Sequence, residues 1–223
     1  MSAVGCLILH GFAGDVYEVL PLAEALQEQG YVIECPTLAG HGAGRRALSQ
    51  SRRSDWINSA VEAYKRLSLR CDKIAVIGFS MGGLLALQIA SRHPVHHLFT
   101  LNTPFYYWDI KQAAVNLRDD FRTHFTRYVN GMAKFPIRSM LEFRMLLAET
   151  KQLLPQVTCP YVIVQGEKDD TVQAVSARHL QKHAGSEDTR LLSFPESGHL
   201  ILHGPEAGEV IKHVSEILKE RMK

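Results

Sequence analysis

Residues 73–77, Lys-Ile-Ala-Val-Ile, are β-branched and apolar enough to read as a buried strand, and residues 84–90 read as an apolar helix. Only Gly78-Phe79-Ser80-Met81-Gly82-Gly83 lies between them. A chain that must turn from strand to helix in so few residues has few backbone routes. Side chains two positions either side of Ser80 would collide across such a turn, so glycine stands at 78 and 82, and the serine itself is pushed toward strained backbone angles. Its hydroxyl then projects from the sheet edge. A helix starting at Met81 aims unpaired N–H groups and the positive end of its dipole at the same place, where a negative oxygen would be stabilised. The stretch predicts a strand–turn–helix unit carrying a serine nucleophile.

The rest of the chain repeats the alternation. Short β-rich runs at 4–9, 31–35, 73–77, 97–101, 161–165 and 189–194 alternate with amphipathic stretches at 17–29, 55–67, 81–92, 174–183 and 205–219. That order predicts an α/β fold with a parallel sheet and helices on both faces. Ser54 or Asp55 offers an N-cap for the second helix, and Pro205 suits a first helical turn. Residues 105–155 break the alternation: 111–128 and 137–152 show helical spacing, carry Phe121, Phe125 and Phe143, and include no clear strand. Such an insertion reads as a small helical cap over the carboxyl edge of the sheet, where open α/β sheets bind ligands. With 223 residues, one sizeable domain spanning 1–223 is expected, the cap inserted in it.

Composition narrows the partners. An apolar share of 46%, a charged share of 22% and a net charge of +2 give no electrostatic case for nucleic acid, and Arg45-Arg46 and Arg52-Arg53 read as a solvated loop face. No stretch has the length of a membrane span or the pattern of a signal peptide, which predicts a cytoplasmic protein without stable membrane insertion. Cys6, Cys35, Cys71 and Cys159 are scattered with no C-x-x-C, as expected of reduced thiols.

A serine hydroxyl needs a base, and eleven histidines compete. His199 follows the last strand and precedes the last helix in Ser197-Gly198-His199, a loop position at the same sheet edge as Ser80. His10 reads as structural, and His203 trails into the next helix. His179 and His183 lie at i and i+4 with no third ligand, so an exposed helical pair is expected and no metal; His93, His96 and His97 cluster without a carboxylate or cysteine partner. The base in turn needs a carboxylate, and Asp169 and Asp170 follow the strand ending at Gln165; spacing alone leaves both open. His10-Gly11-Phe12 closes the first strand. Its loop can supply the Phe12 N–H as a second oxyanion donor beside the Met81 N–H, with Gly11 letting the backbone pass close to substrate.

Taken together, Leu9-His10-Gly11-Phe12, residues 36–42 (Pro-Thr-Leu-Ala-Gly-His-Gly), residues 78–83, residues 166–172 and Ser197-Gly198-His199 resemble, in order, the motifs of the α/β-hydrolase superfamily, in particular the small bacterial carboxylesterases related to monoacylglycerol lipases. The resemblance spans nearly the whole chain. It implies Asp169 as the carboxylate, with Val172 in register, and a short helical cap matching 105–155. The sequence departs from that family at the N-terminus, where few residues precede the first strand, so a sheet of about six strands is expected instead of eight. His41 would frame the pocket without a catalytic role, and Phe105 would contact substrate alongside Gly11. The expected activity is hydrolysis of short- to medium-chain acyl esters, monoacylglycerols among them, through an acyl-enzyme on Ser80, with no cofactor. A thioesterase, or a small-molecule receptor of the same fold with slow or single turnover, is the alternative.

Overall fold

The computed structural model describes residues 3–106 and 135–221. Six strands, β1 (Val4–Leu9), β2 (Val32–Glu34), β3 (Lys73–Phe79), β4 (His97–Leu101), β5 (Tyr161–Gly166) and β6 (Thr189–Phe194), form one parallel sheet in the order β2-β1-β3-β4-β5-β6. The chain steps one way from β1 to β2, then crosses to β3 and proceeds the other way. Connections therefore diverge between β1 and β3, the switch point at which such sheets open a crevice at their carboxyl ends. Register brings those ends level: Leu9 lies opposite Gly78, Phe79 opposite Leu101 and Gly166 opposite Phe194.

Each strand divides its side chains between two cores, as the period of two requires. Leu7, Leu9, Val76, Leu98 and Ile163 face one layer, formed by α3 (Arg53–Ser68), α4 (Met81–Ala90), α5 (Ile137–Leu153) and α6 (Val175–His183). Cys6, Ile8, Ile77, Phe99, Leu101 and Val164 face the other, formed by α1 (Leu20–Glu28) and α7 (Ala207–Arg221). Fully burying each such side chain contributes about 1.5–3 kcal/mol. Helix α4 is buried from Met81 through Ile89, so it has no solvent face and is apolar but for Gln88.

Helix starts differ from the sequence expectation. The Arg52 N–H donates to Asp55 Oδ2 at 2.8 Å, so Asp55 caps from inside the first turn of α3 and the N-cap is Arg52, neither Ser54 nor Asp55. Helix α7 starts at Ala207, leaving Pro205 in the preceding turn; the Glu206 carboxylate accepts from Glu196 N–H and Ser197 Oγ–H there. A further helix, α2 (Gly44–Gln50), has too little apolar periodicity to be expected and is fixed by Leu48, which is buried and whose carbonyl accepts from Ser139 Oγ at 3.0 Å.

Helix α5 buries Ser139, Glu142 and Thr150 along with Leu146 and Leu147. The polar ones are each engaged. Arg53 Nη1 reaches Glu142 at 2.8 Å, Arg53 Nε reaches Glu149 at 2.8 Å, and Gln88 Nε2 donates to Thr150 Oγ1 at 3.0 Å. Burial pushes the Glu142 carboxyl up, but the Arg53 bonds outweigh it and hold the group below its ordinary value. Arg53 is thus a tie between α3 and α5, in place of the solvated residue expected of it. The helical spacing at 111–128, with Phe121 and Phe125, lies outside the described residues. All four cysteines are free thiols, and burial pushes Cys6 up to about 12 and Cys35 and Cys159 to about 11. Among the described residues no helix is long and apolar enough to cross a membrane.

Candidate active site

The carboxyl end of β3 passes into α4 through Ser80, whose φ of 51° and ψ of −117° lie where side chains are rarely tolerated. Such a conformation stores about 1–3 kcal/mol and persists only when its surroundings enforce it. Here they do. A β-carbon at Gly78 would strike the backbone of Gly82 and Gly83, and one at Gly82 would strike the carbonyl oxygens of Leu9 and His10. The Ser80 N–H donates to Leu101 O at 2.8 Å, and Gly83 N–H donates back to Ser80 O at 3.0 Å.

The loop after β1 closes on this turn. A β-carbon at Gly11 would stand 3.3 Å from Ser80 Cβ, so glycine lets the loop lie against Ser80. Three hydrogen bonds fix the loop's direction. Leu38 N–H donates to His10 Nε2 at 3.1 Å, which puts the ring proton on Nδ1, and Nδ1 donates to Gly11 O at 3.0 Å; Gly11 N–H donates to Glu18 Oε2 at 2.8 Å. In a trans peptide the carbonyl and the following N–H point oppositely. Holding Gly11 O toward His10 therefore turns Phe12 N–H the other way. Among the described residues neither Phe12 N–H nor Met81 N–H has a hydrogen-bond acceptor. Burial pushes His10 down to about 4, the Gly11 bond only partly opposing it, so the ring is neutral. Burial also raises Glu18. His41 is buried with Nδ1 donating to Ala39 O at 3.0 Å, its ring packed edge-on to His10 and Trp56.

At the other end of the carboxyl edge, His199 Nδ1 meets Asp169 Oδ2 at 2.8 Å. The Asp169 side chain has 0% exposure, and its Oδ1 accepts from Thr171 N–H and Val172 N–H, each at 2.8 Å. Both carboxylate oxygens are thus occupied, and a charge out of water is held by directed donors. Asp170 is exposed, its Oδ1 accepting from Thr171 Oγ1 at 3.3 Å. Ring contact links this pair to the elbow: Phe79, adjacent to Ser80, lies 5.0 Å from the His199 ring. Nε2 of His199 is the nitrogen left to face a nucleophile. Among the described residues no hydrogen bond joins it to Ser80 Oγ, a contact that in enzymes without bound substrate is often long.

Phe105 stacks on His179 at 5.1 Å and His183 at 5.3 Å, with Lys151 Nζ 4.5 Å from its ring centre. Tyr106 Oη pairs with His179 Nε2 at 2.8 Å. The His179–His183 pair thus stacks with Phe105 and links α6 to the residues after β4 and to Lys151 of α5, while His183 stays exposed as expected of a helical face. Among the described residues no three His, Cys, Asp or Glu side chains group in a way that could hold a metal ion. His203 precedes α7 and bonds through Nε2 to Tyr17 O at 2.8 Å.

Two residues at this edge escape a reading of the sequence. Glu18 takes the Gly11 N–H, yet in sequence it is one acid at the start of the 17–29 amphipathic stretch. Asn102 has a positive φ of 46° and three hydrogen bonds from its amide; directly after a strand it reads as a turn residue.

Residues 6–212 match the alpha/beta hydrolase family. The chain is 30% identical over 212 residues to the thermostable monoacylglycerol lipase of Bacillus sp. (strain H-257), covering 88% of this chain and 83% of the relative. It is 25% identical over 225 residues to a carboxylesterase of Bacillus subtilis (strain 168), covering 96% and 92%. In fold it is similar to a structure from the metagenome-derived lipolytic enzymes LipS and LipT, with a TM-score of 0.85 at 24% identity over 98% of this chain and 94% of that one.

Proposed function

The chain belongs to the alpha/beta hydrolase family, and from that premise we propose that it is a serine carboxylesterase whose nucleophile is Ser80, base His199 and orienting carboxylate Asp169. Its relationship to bacterial carboxylesterases and monoacylglycerol lipases supports an ester-hydrolysing activity of esterase or lipase type. The observation that carries the residue assignment is the 2.8 Å bond between His199 Nδ1 and a fully covered Asp169 at the same sheet edge as the strained serine.

Ser80 Oγ attacks the ester carbonyl carbon while His199 Nε2 takes the hydroxyl proton, and the carbonyl electron pair moves onto oxygen. Phe12 N–H and Met81 N–H receive that oxyanion; each such donor contributes about 3 kcal/mol in comparable enzymes. Asp169 keeps the proton on Nδ1 and stabilises the imidazolium. Collapse expels the alcohol, which takes the proton from His199, and leaves an acyl group on Ser80. Water repeats the sequence and releases the acid.

The same reading treats residues 1–223 as one hydrolase domain with 105–155 as its cap. Support comes from Phe135 and Phe143, whose rings lie 5.4 and 5.2 Å from that of Phe12, with Trp56 5.8 Å away on the same ring. An aromatic wall at the oxyanion loop suits an uncharged acyl chain of short to medium length, and the monoacylglycerol lipase relative makes monoacylglycerol the ester to try first. The test is hydrolysis of nitrophenyl esters and monoacylglycerols across acyl lengths, beside Ser80→Ala. Multiple turnovers are expected, with a loss of about 10⁴–10⁶-fold in kcat for the variant. Retention of most activity by Ser80→Ala overturns the assignment.

A further inference from the structure

The end of β4 touches the chain segments that carry all three proposed catalytic groups. Leu101 O accepts the Ser80 N–H at 2.8 Å. The next residue, Asn102, has no exposed surface, and its side chain faces the acid and base loops together. Its Nδ2 donates to Gly198 O at 2.9 Å and to His199 O at 2.8 Å, and its Oδ1 accepts from Gly166 N–H at 2.7 Å. Gly166 begins the turn whose own N–H groups hold Asp169, and Gly198 directly precedes His199. Asn102 N–H is meanwhile fixed to Val164 O at 2.9 Å.

We propose that Asn102 is the positioning residue for the His199–Asp169 pair, setting the separation of the two loops through backbone atoms on both sides of it. This rests on the esterase reading above. The residue type follows from the demands of the site. Two carbonyls and one N–H require two donors and one acceptor on one short side chain, which an amide supplies and a carboxylate cannot. The φ of 46° adds a second demand, because asparagine tolerates the left-handed region better than other side chains. Glutamine has the same donors and acceptor but one methylene too many for a fully covered position. Other links between the two loops are a backbone bond, Lys168 N–H to Ser197 O at 3.0 Å, and the exposed Lys168–Glu196 ion pair; neither engages the His199 carbonyl, which accepts from Asn102 and from Ile201 N–H.

The mechanism makes the consequence specific. Asn102 is fully buried and its contacts are to backbone groups of Gly166, Gly198 and His199, so substrate binding is expected not to depend on it. Proton transfer does depend on it, since a displacement of the base of about 1 Å costs on the order of 100-fold.

The experiment compares wild type, Asn102→Asp, Asn102→Gly and Ser80→Ala on one nitrophenyl ester, with circular dichroism and the proton resonance of His199 Nδ1–H. Asn102→Asp keeps the shape but turns an acceptor toward two carbonyls, whereas Asn102→Gly keeps the backbone angle and deletes the amide. For both, kcat is expected to fall about 10–100-fold with KM within about threefold, and the Nδ1–H resonance to weaken or vanish in a protein whose circular dichroism is unchanged. If Ser80→Ala is inactive but both Asn102 variants retain kcat and the resonance, the positioning role is wrong and the esterase reading stands. If Ser80→Ala retains activity, the esterase reading itself fails. If both Asn102 variants unfold, or lose KM and kcat together, Asn102 is a residue of the fold alone and the assignment is overturned.

Discussion

The two halves of the carboxyl edge are held by different physics. Around β1 and β3, Ser80 is fixed by exclusion: Gly78 and Gly82 leave no room for a β-carbon, and the serine takes a strained φ of 51° because the packing permits nothing else. Around β5 and β6, His199 and Asp169 are fixed by directed hydrogen bonds, from Thr171 N–H and Val172 N–H to the carboxylate and from Asn102 to the base loop. Steric confinement tolerates no change of size. A hydrogen-bond lattice tolerates no change of donor count, and the two halves should therefore break in different ways.

Among changes that set one half against the other, the largest effect is expected from an isosteric one in the hydrogen-bonded half. Asp169→Asn preserves volume but presents the wrong partner to His199 Nδ1, and kcat should drop about 10⁴-fold with the unfolding midpoint nearly unmoved. A loss of less than about tenfold in steady-state assays would remove Asp169 from the mechanism. The converse change, Gly82→Ala, adds one methyl in the confined half, where it meets the carbonyls of Leu9 and His10. A destabilisation of about 3 kcal/mol by urea denaturation is expected, and a variant as stable as wild type would show that the elbow yields.

The smallest effect separates the edges of the sheet by pH. His10, at the carboxyl edge, and His97, at the amino end of β4, are both pushed down to about 4, in each case first by burial. A depressed histidine binds its proton more weakly folded than unfolded. Its contribution is complete above about 6.5 and is lost as pH falls toward 4, at roughly 1.4 kcal/mol per pH unit per group midway. His10 has both ring nitrogens bonded, whereas both of those of His97 lack partners among the described residues. His97→Leu should flatten the acid slope by about one proton without harming stability at pH 7. Denaturation curves between pH 4.5 and 6.5 read this directly, and an unchanged slope would mean that His97 is not the group.

The same division explains what a reader of the sequence can find. Confinement leaves glycines at fixed offsets, so 78–83 announces the proposed nucleophile, and the short β-rich runs at 4–9 and 97–101 coincide with strands. His199 is visible because Ser197-Gly198-His199 sits between the last strand and helix. Asn102 is invisible in that way. Its partners, Gly166, Gly198 and His199, are remote in sequence and are backbone groups that any residue carries. Helix α2 is missed for a related reason: Gly-Arg-Arg-Ala-Leu-Ser-Gln has almost no apolar stripe, and its stability comes from Leu48 meeting Ser139 of α5. Arg53 looked solvated because the acids it pairs with, Glu142 and Glu149, lie far along the chain.

Leu101, the last residue of β4, bonds to the elbow, Asn102 directly after it bonds to the base loop, and Gly166, the last residue of β5, donates to Asn102. The long stretch between those strands is thus threaded through a frame that is already closed on either side of it. Within it, α5 is packed on the core through Leu146 and Leu147 and tied to α3 through Glu142, so an exchange that keeps those contacts is expected to leave the three proposed reacting groups at their spacing. Under the proposed cap reading, chemistry and choice of substrate lie on separate pieces of one polypeptide, which makes a graft of that stretch from a relative the natural way to retune the enzyme.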